Sequence, residues 1–225
     1  MAEATLTPAG CASGGLTLAG AAGPLEALLD CPEGAPRAVA LVLHPHPLYG
    51  GTMRNKVAHT LARTLAGLGA ATLRFNFRGV GASAGPHDHG RGEAEDAARA
   101  AAWLRAALPG RPLWLAGFSF GAWVALRAAP VVRPDCLVTV APPADRYDQA
   151  EVTRPDCPWL LVQGDADEVV DAAAVLRWAR RMMPPPHIVR LPGTGHFFDR
   201  RLVALAAAVR EGLAAAGCAT QAPAR

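Results

Sequence analysis

Charge is scarce in this sequence: Asp, Glu, Lys and Arg make up 18% of 225 residues, and the formal net charge is +3. Lys56 is the only lysine, and the arginines are scattered singly apart from pairs such as Arg180-Arg181 and Arg200-Arg201. No dense basic patch therefore offers itself to nucleic acid. No apolar run reaches the ~18 residues of a membrane-spanning helix. No Lys or Arg precedes Arg37, so the positive start of a secretory signal is also missing. Cysteine is sparse: Cys11, Cys31, Cys136, Cys157 and Cys218 are odd in number, widely spaced and form no C-x-x-C pair. That argues against a thiolate zinc site or a disulfide framework and reads as reduced, mostly buried thiols. These absences together predict a soluble cytoplasmic protein with neither nucleic acid nor membrane among its partners.

What the chain has in quantity is apolar surface. Hydrophobic residues make up 51%, enough for one compact core. A single domain over residues 1–218 is expected, with a flexible tail at 219–225. Short apolar runs at Leu16-Leu18 and Leu25-Leu29 around a Gly-rich break read as a hairpin. Ala38-Leu43 is continuously apolar, as strands buried on both faces of a parallel sheet are. Further strands are predicted at Ala71-Phe77, Leu113-Phe118, Cys136-Val140, Trp159-Gln163 and His187-Leu191. Helices are predicted at Lys56-Leu68, Gly92-Leu108, Phe120-Ala129, Ala172-Met183 and Phe198-Ala216. This alternation predicts βαβ units and an α/β fold with a mostly parallel sheet, whose ligands bind beyond the carboxyl ends of the strands.

Four strand ends carry residues with chemical potential. Gly117-Phe-Ser119-Phe-Gly121 is a G-x-S-x-G elbow in the strand-turn-helix setting that lifts a serine hydroxyl above a sheet. A serine needs a base held by a carboxylate. His196, in a Gly-flanked loop after one later strand, is the candidate base, and Asp165, Asp167 and Glu168 after another are candidate acids. The chain order Ser, Asp, His is the order that accompanies this elbow. An oxyanion would need two N–H donors. One is the backbone N–H of Phe120, and the second comes from the loop after Leu43, where Pro45 and Pro47 have none. That leaves His46 or Leu48, with His46 favoured, and the His44 and His46 side chains bracing the loop.

With the elbow, the stretches His44-Pro-His-Pro-Leu-Tyr-Gly-Gly51 and Leu73-Arg-Phe-Asn-Phe-Arg-Gly-Val-Gly81 resemble the α/β-hydrolase superfamily, specifically its small bacterial lidless serine hydrolases. The likeness runs from about Ala38 to Phe198. It implies an eight-stranded sheet, antiparallel only near its start, with no cap domain and no cofactor, and it selects Asp167 as the acid. Only Ala141 to Cys157 stand where relatives insert a helical lid, so an open cleft is expected. Leu48, Tyr49 and Tyr147 are the candidate substrate-binding residues, with Pro142, Pro143 and Tyr147 forming a wall. A small-molecule ester is the implied substrate, cleaved by Ser119, Asp167 and His196.

Competing signals are weaker. Gly79-Val-Gly81-Ala-Ser-Ala-Gly85 follows a strand but leads into Pro86-His-Asp-His89 and not directly into a helix, against a dinucleotide loop. The pairs His44/His46 and His87/His89 lack the further ligands of a metal site, and His87 and His89 read as solvated. A peptidase would want an acidic anchor for a substrate amine, and none stands out. A non-catalytic binding scaffold is the remaining alternative, because fold does not guarantee activity.

Overall fold

The computed structural model describes residues 4–8 and 10–218. The expected tail at 219–225 lies outside the described residues. Strands β1 (Thr5–Thr7) and β2 (Gly10–Ala12) form a small antiparallel pair that the sequence reading did not anticipate. The main sheet follows: β3 (Gly14–Ala19), β4 (Pro24–Asp30), β5 (Ala38–Leu43), β6 (Ala70–Phe75), β7 (Leu113–Phe118), β8 (Cys136–Val140), β9 (Trp159–Gly164) and β10 (His187–Leu191). The helices are α1 (Lys56–Gly67), α2 (Arg91–Ala107), α3 (Phe120–Val132), α4 (Ala172–Arg181) and α5 (Leu202–Ala215). The sheet has eight strands in the order β10-β9-β8-β7-β5-β6-β4-β3. It is parallel from β10 to β6, and β4 and β3 pair antiparallel.

Burial explains the strand composition. Every residue of β5 through β9 is buried, whereas β4 alternates because one of its faces is less covered. The period-two pleat sends Val39, Leu41 and Leu43 into a core shared with α2, α3 and α4. It sends Ala38, Ala40 and Val42 into a second core with α1 and α5. β5 lies between β6 and β7, so the chain's direction of travel across the sheet reverses there. That switch point opens a crevice at the carboxyl ends of β5 and β7, where the informative loops lie.

Two helix boundaries differ from expectation. α3 continues through Pro130 to Val132, where the Arg105 side chain donates to the carbonyls of Val132 and Arg133 and supports the last turn. α5 starts at Leu202 and not at Phe198, because Phe198 (φ 53°) and Arg200 (φ 58°) adopt left-handed conformations that form a turn.

The reading of five reduced thiols is corrected. Cys11 in β2 is bonded to Cys31 after β4, and Cys136 at the start of β8 to Cys218 after α5. The fold brings their Cα atoms to 5.8 and 5.7 Å, within bridging range, across 20 and 82 residues of sequence. Cys157 remains free and buried. Among the described residues, no helix is long and apolar enough to cross a membrane.

Candidate active site

The elbow depends on two close approaches. A Cβ at Gly117 would lie 2.2 Å from the Gly121 carbonyl oxygen, and one at Gly121 would lie 2.3 Å from that of Leu43. Only glycine lets α3 start this close to β7 and β5. Ser119 between them takes φ 54°, ψ −121°, a costly conformation for a non-glycine residue. It is held because the Ser119 N–H donates to Val140 O at 2.8 Å and the Ser119 carbonyl accepts from Ala122 and Trp123.

The hydroxyl of Ser119 lies 3.0 Å from Nε2 of His196, and His196 Nδ1 lies 2.8 Å from Asp167 Oδ2. A carboxylate only accepts, so Nδ1 carries the ring proton and Nε2 is left to accept the serine hydroxyl proton. Asp167 Oδ1 also accepts the N–H groups of Val169 and Val170 at 2.9 Å each. Burial pushes the Asp167 carboxyl up, but the bond from His196 and those two backbone donors outweigh it and hold its pKa below the ordinary carboxylate value.

All three candidate acids grip the loop that carries His196. Asp165 Oδ1 accepts the Gly193 N–H at 2.7 Å, Glu168 Oε2 accepts the His196 backbone N–H at 3.1 Å, and Asp167 reaches the ring. The alternatives left open by the residues alone thus divide, with only Asp167 touching the imidazole.

His44 braces the loop after β5. Its Nδ1 donates to Pro45 O at 2.7 Å and its Nε2 accepts the Phe77 N–H at 2.9 Å, the neutral tautomer that matches both partners. Complete burial drives its pKa down to about 3, although the bond to Pro45 opposes that. The His46 ring accepts the Leu48 N–H at 3.3 Å and packs against Phe120 and Tyr49. Burial, with the neighbouring His87 and His89, lowers the His46 pKa. The N–H groups of Tyr49 and Gly51 donate to His46 O and that of Gly50 to Pro47 O. Gly51 is needed here, because a Cβ would meet Pro45 O at 2.2 Å.

A cleft of about 180 Å³ opens over Ser119 and His196, lined by Pro45, His46, Tyr49, Gly50, Gly51, Asn55, Val169 and Phe197. Of the expected substrate-binding residues, Tyr49 lines it. Leu48 instead points to solvent at 67% exposure, and Tyr147 stacks on Trp123 at 5.3 Å, so neither belongs to the lining. Pro142 and Pro143 are buried and form no part of that lining either. Phe197, next to His196, was missed, although an aromatic beside the candidate base was a readable signal. Asn55 was also missed; its Oδ1 caps α1 by accepting the N–H groups of Val57 and Ala58.

His87 is not solvated as expected. Its side chain is 9% exposed, packs on His46 and Phe120, and places Nδ1 2.9 Å from Glu93 Oε1, off the line of a hydrogen bond. Among the described residues, no group of three or more His, Cys, Asp or Glu is arranged to hold a metal ion. Between β8 and β9 there is only a short 3-10 turn at Gln149–Glu151, so no helical lid covers the cleft.

The comparisons agree with this architecture. A family model described as alpha/beta hydrolase fold matches residues 41–154, just over half of the chain. A Xanthomonas campestris protein, XC6422, described as an α/β serine hydrolase without lid, is 48% identical with TM-score 0.87, covering 90% of this chain and 94% of its own. An α/β serine hydrolase homologue from Coxiella burnetii is 40% identical with TM-score 0.85, covering 89% of this chain and 97% of its own. An uncharacterized Rickettsia prowazekii protein, RP471, is 37% identical over 71% of each chain. The chain accordingly belongs to the α/β-hydrolase family, as a hydrolase without a lid.

Proposed function

We propose that the protein hydrolyses carboxylic esters of small molecules through an acyl-Ser119 intermediate. The observation that carries this reading is the unbroken chain Ser119 Oγ, His196 Nε2, His196 Nδ1, Asp167 Oδ2, with links of 3.0 and 2.8 Å. His196 removes the hydroxyl proton as Oγ attacks the ester carbonyl carbon, and Asp167 stabilises the imidazolium without taking its proton. The imidazolium then protonates the leaving alcohol as the tetrahedral intermediate collapses. Water, activated in turn by His196, attacks the acyl-enzyme and releases the acid.

Two donors serve the oxyanion. The Phe120 N–H stands at the N-terminus of α3, where helix geometry leaves it without an intrahelical acceptor and the helix dipole favours negative charge. The His46 N–H is the second. In the loop Pro45–Gly51 the prolines have no N–H, and those of Leu48, Tyr49, Gly50 and Gly51 are already bonded. This elimination supports His46 over Leu48. An ester fits better than a peptide because the cleft lining includes no carboxylate to anchor a substrate amine.

The test is labelling with a fluorophosphonate, which reacts with an activated serine, run on wild type and Ser119→Ala with p-nitrophenyl esters of increasing acyl length alongside. Labelling and turnover are expected to vanish together in the variant, with a loss of several orders of magnitude and an unchanged fold. Turnover retained by the variant would place the nucleophile elsewhere. An unlabelled, inactive wild type would favour the binding-scaffold reading.

A further inference from the structure

Gln163 is the one polar side chain in β9 (Trp159–Gly164) and is completely buried. Its Nε2 donates to Asp167 Oδ2 at 3.0 Å and to Gly164 O at 3.1 Å. Its Oε1 is buried with no partner among the described residues. A buried, unsatisfied acceptor destabilises a fold, and an apolar residue like those elsewhere in β9 would avoid it. The amide could not turn round to satisfy the oxygen, because that would set Oε1 against a carboxylate that only accepts. The orientation observed sacrifices one acceptor in order to place a donor on Asp167.

We infer that Gln163 is a positioning residue whose amide, by donating to the Asp167 oxygen that also accepts the His196 ring proton, limits how strongly that carboxylate holds a proton on His196. This inference rests on the proposed reading of Ser119, Asp167 and His196. Oδ2 shares its electron density between two donors, while Oδ1 is fully engaged by Val169 and Val170. Withdrawing the Gln163 dipole leaves a more basic carboxylate, which favours the imidazolium and keeps His196 protonated to higher pH. The base is then out of action over a wider acid range.

The other charged groups around the pair are engaged elsewhere. In the loop after β9, Asp165 binds Gly193 and lies 3.4 Å from Arg190 of β10, and Glu168 binds the His196 backbone. Beyond β8, Arg146 donates to the Val169 carbonyl and Asp145 accepts the Asp171 N–H. Asp171 caps α4 at Ala174, and Arg201 before α5 binds Thr194 and Pro192. Gln163 is the side-chain donor, besides His196, that touches the Asp167 carboxylate.

The experiment measures kcat/KM for p-nitrophenyl acetate from pH 5 to 9 on wild type, Ser119→Ala, Gln163→Met and Gln163→Glu, with thermal melts of each. Gln163→Met, similar in length but without the donor, is expected to move the acid limb up by about 0.5–1 pH unit and to lower kcat more than it changes KM. Gln163→Glu is expected to add an ionisation, with activity falling as the introduced carboxyl loses its proton beside Asp167. A folded Gln163→Met with its acid limb within about 0.2 unit of wild type, while Ser119→Ala is inactive, overturns the inference and leaves the proposed mechanism standing. If Gln163→Met does not fold, Gln163→Leu, likewise without a donor, takes its place, and an acid limb within about 0.2 unit of wild type in it overturns the inference. Activity retained by Ser119→Ala overturns the mechanism itself, and the inference with it.

Discussion

Asp167 accepts hydrogen bonds from His196, Gln163, Val169 and Val170, and this set separates it from Asp165 two residues earlier. Asp167→Asn keeps the shape but presents an amide donor to His196 or forces the wrong tautomer. Turnover is expected to fall by about 10³–10⁴-fold. Asp165→Asn loses only part of a grip on the Gly193 turn and is expected to cost less than about tenfold. Steady-state kinetics of the two variants check the assignment, and the reverse ranking would give the acid role to Asp165. At this scale the sequence was legible where a residue's neighbours constrain it. The small residues around Ser119 and His196 marked both positions, and likeness to a family chose among three acids. It was not legible where contact is remote in sequence. Gln163 read only as the end of an apolar strand, His87 read as solvated from its Gly/Pro surroundings, and Tyr147 read as a cleft wall although it packs on Trp123.

At the level of elements, His44 at the carboxyl end of β5 is tied to Phe77 just beyond β6, so the loop that carries the His46 N–H is anchored to both strands. The burial of His44 makes stability depend on pH, although its bond to Pro45 opposes the effect. His44 titrates near 6.5 when unfolded and at about 3 in the fold, so between those values only the unfolded chain takes up the proton. The stabilisation is complete above pH ~6.5 and is lost as pH falls towards 3, with a slope of at most about 1.4 kcal/mol per pH unit. Urea midpoints of wild type at pH 7 and pH 5 should show this fall. His44→Gln is expected to be less stable at pH 7 but flatter between the two, and an equal fall in both proteins would remove His44 as the cause. The elements themselves were legible because buried strands and amphipathic helices announce themselves by period. Their ends were less so: α3 runs past the expected end at Ala129, through Pro130 to Val132, and the left-handed turn at Phe198 and Arg200 gave no sign ahead of α5.

For the molecule as a whole, two disulfides close the chain on itself, one joining β2 to the segment after β4 and the other joining β8 to the segment after α5. Loops of 20 and 82 residues correspond to about 3 and about 4.5 kcal/mol in the chain-entropy account. Thiol titration of unreduced protein in denaturant is expected to find one free cysteine, Cys157, and reduction is expected to lower the melting temperature. Five titratable thiols would return the protein to the reduced state first expected. Native Cys157 should be slow to react, because burial pushes its pKa up to about 11. The expectation of a cytoplasmic protein leaned on reduced thiols, and the disulfides take that support away. The sequence by itself determined the α/β class, the strand and helix order from β3 onward, the lidless span after Val140 and the placing of Ser119 and His196 on loops at strand ends. Each of these follows from local periodicity, turn chemistry or chain order. Only the tertiary structure decided the cysteine pairing, the contacts by which Asp165 and Glu168 hold the loop of His196, the lining of the cleft and the approach of Gln163 to Asp167. These depend on distances between segments far apart in the chain, and no local pattern of residue types encodes such distances.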